Sequence, residues 1–527
     1  MTVEQAVALE DLENYIESLP ARLGIWRTTQ RAQHWPLLAW LNVWPIQEVR
    51  RDADEAGLLL AITAHHAEHY NTVGLAVGWA ATYLREEVLG TPDEMERRGL
   101  MRAARDVWRL RDLVRSARAG IYNVESDGNQ LHFEFAQDPR IEALDNLLDL
   151  ASDLQDAETL RSRMRSTVPM QELREYVGVS GASVSWESVE NSIKDGFRTA
   201  AEVMVSGMRR VSALDSLSVG EFKLGEALSV WQELLAVALY RNLCMQAGAV
   251  NPMVTAPART QAELLHDLAP SGVPDSSLKP IIEFLAFDPQ RDEDPCLTPL
   301  ISTTHGLVAM SSLIVPASPE RNILAKARQN PASFGEIGNH IGDIGPFSVR
   351  QALERVPNTR VITKVPVRKL DGQSLGDLDV VALDVADKVI AIFEVKWQLD
   401  PDGAKELDKA EQQAEAGQAQ IRRLRPFVES GQAGTRWPTD WPDLDDFEWY
   451  WFVITGNVIP MARAKVGDVP ARSNRILTMM ALREGAHLRE VCNLFASPTL
   501  PTEGEQFIVE TSEERVGFYV ISVRRPS

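Results

Sequence analysis

Four charged residues sit inside an apolar segment, where buried strands normally carry none. Residues 376–397 read Gly-Asp-Leu-Asp-Val-Val-Ala-Leu-Asp-Val-Ala-Asp-Lys-Val-Ile-Ala-Ile-Phe-Glu-Val-Lys-Trp. The pattern predicts two strands joined by a tight turn at Ala386-Asp387. Asp384, Asp387 and Lys388 fall at or beside that turn, where they can be solvated. Asp377, Asp379, Glu394 and Lys396 do not. With a two-residue turn, Val385 faces Lys388, Asp379 faces Glu394 and Asp377 faces Lys396. Opposed residues share a face of a sheet, as do residues two apart on one strand. All four charges then project to one side. A three-residue turn would shift the register by one and put Asp379 and Glu394 on opposite faces.

Two carboxylates this close repel each other unless a cation lies between them. A hard divalent ion such as Mg²⁺ takes oxygen ligands and keeps several waters. It polarises phosphoryl oxygens and turns water into a nucleophile. A lysine two residues past the glutamate points at the same centre, where it can orient the attacking water or offset developing charge. The plain alternative is a structural ion-pair cluster on a sheet edge. Against it stands the cost of burying three acids in so apolar a hairpin.

Gly376-Asp377-Leu378-Asp379, a short hairpin, and Glu394-Val395-Lys396 together resemble the motif of the PD-(D/E)XK nuclease superfamily, the restriction-endonuclease-like fold. The resemblance covers residues 331–527 only. It implies Asp379, Glu394 and the backbone carbonyl of Val395 as metal ligands, Lys396 as the catalytic lysine, and Mg²⁺ or Mn²⁺ as the cofactor. Members often place a further acid on the first helix. Glu336, in Phe334-Gly335-Glu336, is the better placed candidate and Glu354 the other; a solvated glutamate is the alternative for both. Some members carry a glutamine on the helix after the lysine strand. Gln420 fits, with Gln413 two turns earlier on the same face, and a surface amide is the alternative.

The elements that must position these residues are legible around them. Residues 333–356 carry helical segments interrupted at Gly345-Pro346. Residues 360–368 form a strand with a basic outer face. Asp400-Pro401 reads as an N-cap and first-turn proline. The helix that follows carries Leu407, Ala410, Ala414, Gly417, Ile421, Leu424 and Val428 on one stripe, with Pro426 near its end. Ala and Gly in mid-stripe let it lie close to a sheet. Residues 447–459 are a further buried strand, 474–494 are helical and 506–523 form a hairpin. The order helix, three strands, helix, strand is that of the superfamily's core. Arg422, Arg423 and Arg425, with Arg360, Lys364, Arg368 and Lys369, could hold phosphates. Nothing encodes base readout.

Before residue 331 the chain differs. Residues 1–250 read as a mostly helical domain with an inserted β-hairpin at 121–135, and the segment 180–185 as a loop. Residues 251–330 are a proline-rich connecting region, with a hairpin about Thr304-His305-Gly306 and a short helix at 319–329. His65, His66 and His69 cluster on a helix, but the pattern is not that of a zinc protease and no third ligand is apparent. Most of the tryptophans before residue 232 read as core anchors. The fold class is α+β overall: a mostly α-helical N-terminal region, then a C-terminal α/β restriction-endonuclease-like domain with a mixed central sheet.

Composition narrows the function. The net charge is −21 over 527 residues, unusual for a nucleic-acid binder. Residues 331–527 hold 23 Lys+Arg and 29 Asp+Glu; the remainder holds 31 and 46. The acidic N-terminal part is therefore a poor general DNA-binding surface and a better place for a protein partner or homo-oligomer contact. No apolar run reaches membrane-spanning length, and the N-terminus has no signal peptide. Cys244, Cys296 and Cys492 suggest neither disulfides nor a zinc motif, so a cytoplasmic location is expected. No phosphate-binding ATPase loop is present. The expected function is a metal-dependent nuclease hydrolysing phosphodiester bonds, foremost a DNA endonuclease. By analogy of architecture, it suits bacterial defence against phage or foreign DNA. The alternative is a non-catalytic nucleic-acid-binding or scaffold protein that keeps a nuclease fold.

Overall fold

A computed structural model describes residues 3–28, 34–49, 66–84, 93–136, 138–180, 184–208, 214–249, 251–291, 293–329, 331–397, 404–431, 434–435, 437–456, 469–483, 485–498, 500–516 and 519–526. The chain is mixed α/β and divides into two compact units. One comprises residues 1–10, 112–155 and 338–527, the other residues 11–111 and 156–337.

The first unit is built on a five-stranded sheet in the order Ala471–Ser473, Glu448–Thr455, Val389–Lys396, Ser374–Asp384, Thr359–Arg368. The central hairpin pairs Val380 with Phe393 through to Asp384 with Val389. That is the register expected of a two-residue turn. Asp384, however, is not solvated. It is fully buried, and its Oδ1 accepts from the N–H groups of Ala386 and Asp387 at 2.9 and 3.1 Å. An aspartate before a turn satisfies the turn's own amides, so it is drawn inward.

Val389–Lys396 pairs in parallel with Glu448–Thr455. Parallel neighbours need a crossover, and the helix Ala404–Glu429 supplies it. Pro426 lies within its last turn without ending it. The residues expected as its N-cap, Asp400 and Pro401, lie outside the described residues.

Both faces of the sheet are covered, which explains strands that are apolar on both sides. On one face Val381, Leu383, Ile390 and Ile392 pack with Ala410, Ala414, Ile421 and Leu424 of the crossover helix. On the other, Val380, Ala382, Ala391 and Phe393 meet Val349, Ala352 and Leu353 of the helix Pro331–Leu353. Ile476, Leu477, Val491 and Phe495, from Asn474–Ala481 and Leu488–Ala496, complete that core. The expected helical stretch at 474–494 is thus two helices. The helix Pro331–Leu353 passes directly over the sheet at Gly345. A Cβ there would lie 2.7 Å from Val395 Cγ1 and 2.8 Å from Trp397 Cβ.

The hairpin expected as an insertion in residues 1–250 has another partner. Tyr122–Asp127 and Gln130–Phe135 pair as predicted, but Gln130–Phe135 also pairs in parallel with Tyr519–Pro526. With Val509–Val516 they form one four-stranded sheet. An isolated hairpin is marginal in water. Its apolar face (Val124, Leu131, Phe133) is buried in the wider sheet. Alternation reveals such a face but not a partner hundreds of residues away.

The second unit centres on the helix Leu224–Gln246, most of whose residues are buried. Residues 251–330 lie within this unit and are not merely a connector. The expected hairpin pairs Leu300–Thr303 with Gly306–Ala309. Ala258–Arg259 and Ala286–Phe287 extend it to four strands. Prolines here open helices, as at Pro319, and leave the segment able to bury Ile281, Ile301 and Ile314. Trp26, Trp79, Trp186 and Trp231 are core residues. The side chains of His65, His66 and His69 lie outside the described residues. Among the described residues no helix is long and apolar enough to cross a membrane, and the three cysteines are free and buried.

Because Gly345 sits against two side chains on the sheet, Gly345→Ala should destabilise the first unit by about 1–3 kcal/mol. Chemical denaturation followed by circular dichroism would measure it; an unchanged midpoint would contradict the close packing.

Candidate functional site

The site begins where the central hairpin stops pairing. The ladder between its strands ends at Val380 and Phe393. On the outer side, pairing passes from Leu378–Val365 to Val380–Thr363 without joining Asp379 to Lys364. Lys364 there has φ 54°, a left-handed conformation uncommon outside glycine. Asp379 is thereby released from the ladder on both edges. Its side chain bridges the gap: Oδ2 accepts from the N–H of Val395 at 2.7 Å. The backbone donor is satisfied, as a buried one must be, and the carboxylate is fixed in direction.

Glu394 and Lys396 continue the face that carries Ile390 and Ile392, under the crossover helix. At Gly417 that helix comes so near that a Cβ would lie 3.2 Å from Lys396 Cγ and 3.1 Å from Val453 Cγ1. Gln420, nearly one turn further on, therefore reaches the same spot. Lys396 Nζ donates to Glu394 Oε1 at 2.7 Å and to Gln420 Oε1 at 3.4 Å. Gln420 Nε2 donates to Glu394 Oε2 at 2.8 Å. Glu394 is buried, and the Lys396 side chain keeps 25% of its exposure. The amine thus opens toward solvent while the glutamate does not.

Asp379, Glu394, Lys396 and Gln420 are therefore brought together. Asp377 is exposed, and the hydrogen bonds of the lysine run to Glu394 and Gln420. The hairpin ladder stops before the expected pair of Asp377 with Lys396, and Asp377 acts on Asp379 and Glu394 through its charge. Gln413 is exposed on the helix surface. Glu336 lies in the helix Pro331–Leu353, but its side chain is outside the described residues. Glu354 pairs with Arg350 on the exposed side at the end of that helix, Oε1 accepting from Nε at 2.7 Å.

An acid that the spacing did not single out stands on the same helix. Asp343 accepts from Lys364 Nζ at 2.7 Å. That bond, first, and the charges of Asp377 and Asp379 hold the Lys364 amine above its ordinary range. Asp343 and Lys364 thus border the carboxylate pair. The clue was Gly345, two residues on, whose close approach brings the helix to Val395. Of the other basic residues, Arg360 is paired with Asp440 and Arg425 with Glu429.

Burial, then the neighbouring Asp379, pushes Glu394 from the ordinary 4.5 up to about 7, against the opposing pull of Lys396. Asp379 is also raised, chiefly by burial, while its bond from Val395 opposes the shift. Among the described residues, no group of three His, Cys, Asp or Glu side chains gathers to hold a metal ion. The set present is two carboxylates with the carbonyl of Val395. Two mutually repelling, desolvated carboxylates are suited to a hard cation that brings several waters of its own. No protein family, curated protein or solved structure matches the chain.

A carboxyl raised by folding is disfavoured as its charged form, so its contribution to stability falls as pH rises from about 4.5 through about 7. Relative to the wild type, Glu394→Gln should gain up to about 3 kcal/mol across that window in metal-free buffer. Urea denaturation of both proteins at pH 4.5 and pH 8 would measure the gain; a difference independent of pH would mean that Glu394 ionises normally.

Proposed function

We propose that the first unit is a metal-dependent nuclease of the PD-(D/E)XK, restriction-endonuclease-like kind, hydrolysing phosphodiester bonds in nucleic acid, foremost DNA. The observation that carries this reading is the convergence of Asp379, Glu394 and Lys396 where the hairpin strands part. The order helix, three strands, helix, strand supports it. Asp379, Glu394 and the Val395 carbonyl would hold Mg²⁺ or Mn²⁺. Such an ion, when bound, supplies charge stabilisation at phosphorus and a more acidic water.

The chain's own residues then have distinct tasks. Asp379, tied to the Val395 amide, holds one carboxylate oxygen in a fixed direction. Gln420 braces both Glu394 and Lys396, so that neither swings away. Lys396 presents its partly exposed amine to the attacking water or to the charge developing on phosphate oxygens. Lys364, exposed beside Asp379, is placed to meet a neighbouring phosphate by leaving Asp343. The acidic chain as a whole confines productive contact to such local cations.

A second reading has an observation of its own. Both oxygens of Glu394 are taken by Lys396 and Gln420, as in a structural ion-pair cluster. This favours a non-catalytic protein that binds nucleic acid or serves as a scaffold. The two readings separate in a cleavage panel of duplex, single-stranded and branched DNA and of RNA, with Mg²⁺ or Mn²⁺. Under the nuclease reading, Asp379→Ala, Glu394→Ala and Lys396→Ala each lower cleavage at least about 100-fold while folding normally. Cleavage by a folded Lys396→Ala protein at the wild-type rate would remove the lysine from the mechanism. Metal binding by calorimetry with no cleavage of any substrate would favour the second reading.

A further inference from the structure

The helix Glu94–Arg118 carries eight arginines, no lysine and four acids, a net of +4 in a chain whose net charge is −21. Half of these arginines form a row. Arg98, Arg102, Arg105 and Arg109 recur at intervals of four, three and four residues, the spacing of one helix face. Leu100, Ala104, Val107 and Leu110 lie round the opposite side and are at most 4% exposed. The apolar face is thus taken up by the core, and the arginine face is turned to solvent. Arg98, Arg102 and Arg109 are exposed and Arg105 is half-buried. Arg98 pairs with Glu94, but both side chains are more than half exposed, so that bond is weak and readily exchanged. All four arginines belong to the second unit, within the acidic part of the chain whose overall composition predicts no such surface.

We propose that this arginine row is a docking surface for the phosphate backbone of duplex DNA, engaged without regard to base sequence. Eleven residues at a rise of about 1.5 Å make the row about 16 Å long. Duplex DNA presents one charge per about 1.7 Å of its axis, so several phosphates face a row of that length. Arginine suits the task better than lysine, because its guanidinium fork meets phosphate oxygens in pairs. Contacts of this kind position a duplex and carry no sequence information. A lipid surface is disfavoured, since a helix lying on a membrane needs its apolar face free, and here that face is buried. A flexible acidic peptide would lose chain entropy on lining up with the row, and a stiff duplex would not. The proposal is independent of the nuclease reading, since it uses no residue of the first unit.

Fluorescence anisotropy of a labelled DNA duplex with the full chain tests it, in buffer containing EDTA so that no metal-dependent cleavage intervenes. Saturable binding is expected, weakening steeply with salt and indifferent to the sequence of the duplex. The triple variant Arg98→Gln, Arg102→Gln, Arg109→Gln should bind at least about tenfold more weakly. Its plot of log affinity against log salt should be shallower by about 2–3. The triple variant Arg98→Lys, Arg102→Lys, Arg109→Lys should keep the wild-type salt slope, which separates lost charge from a damaged fold. No binding by the wild type, an unchanged slope in the glutamine variant, or an equal loss in the lysine variant would each overturn the proposal. Tighter binding of polyglutamate or of phosphatidylserine vesicles than of duplex, lost in the glutamine variant, would assign the row to another partner and overturn it too.

Discussion

Two carboxylates held side by side in a partly dry sheet define the first unit, and their repulsion is the constraint that the surrounding structure manages. Desolvation and mutual charge raise both Asp379 and Glu394. Three features keep them in place. The amide of Val395 holds Asp379, the amine of Lys396 holds Glu394, and the amide of Gln420 ties that amine and that carboxylate together. The first bond exists because the strands part at Asp379, and the last because Gly417 lets the crossover helix approach Lys396. Had the ladder continued, the Asp379 side chain would have had no gap to bridge.

The parting itself rests on packing to either side of it. Apolar cores cover both faces of the sheet, so the hairpin is packed on both sides along its paired part, up to Val380. Beyond it, Gly417 brings one helix onto Lys396 and Gly345 brings another onto Val395. A chemical centre built on strands and braced by helices is held more closely than one carried on loops. The left-handed backbone of Lys364 is the local cost of opening the outer edge. It also turns the ladder so that Leu378 and Val381, three residues apart, join the same core.

Much of this was legible in the residues. A two-residue turn predicts the observed pairing of Val380 with Phe393, because side chains alternate strictly and a one-residue slip would have exposed the apolar set. The stripe Ala410, Ala414, Ile421, Leu424 predicts the buried face of the crossover helix. Gln420 comes from the family resemblance, with a surface amide as the alternative, and the stripe alone does not select it. Other features were not legible. Asp384 looked solvated because its sequence position is a turn, yet its carboxylate caps the turn from within. Asp343 looked like any helical acid until the approach at Gly345 placed it by Lys364. The partner of the 122–135 hairpin is set by which other apolar face remains uncovered, and local alternation carries no such information.

The sequence by itself determined the local terms: which segments are strands, which face of each helix is apolar, and that two acids and a lysine share one side of a hairpin. These follow from periodicity and turn chemistry, which act over a few residues. Only the tertiary structure decided that the hairpin opens at Asp379, that Glu394 is buried while Lys396 stays partly exposed, and that Gln420 joins them. It also showed that residues 251–330 are part of the second unit. Such features depend on how closely distant segments approach, and that is fixed by packing and desolvation across the whole unit.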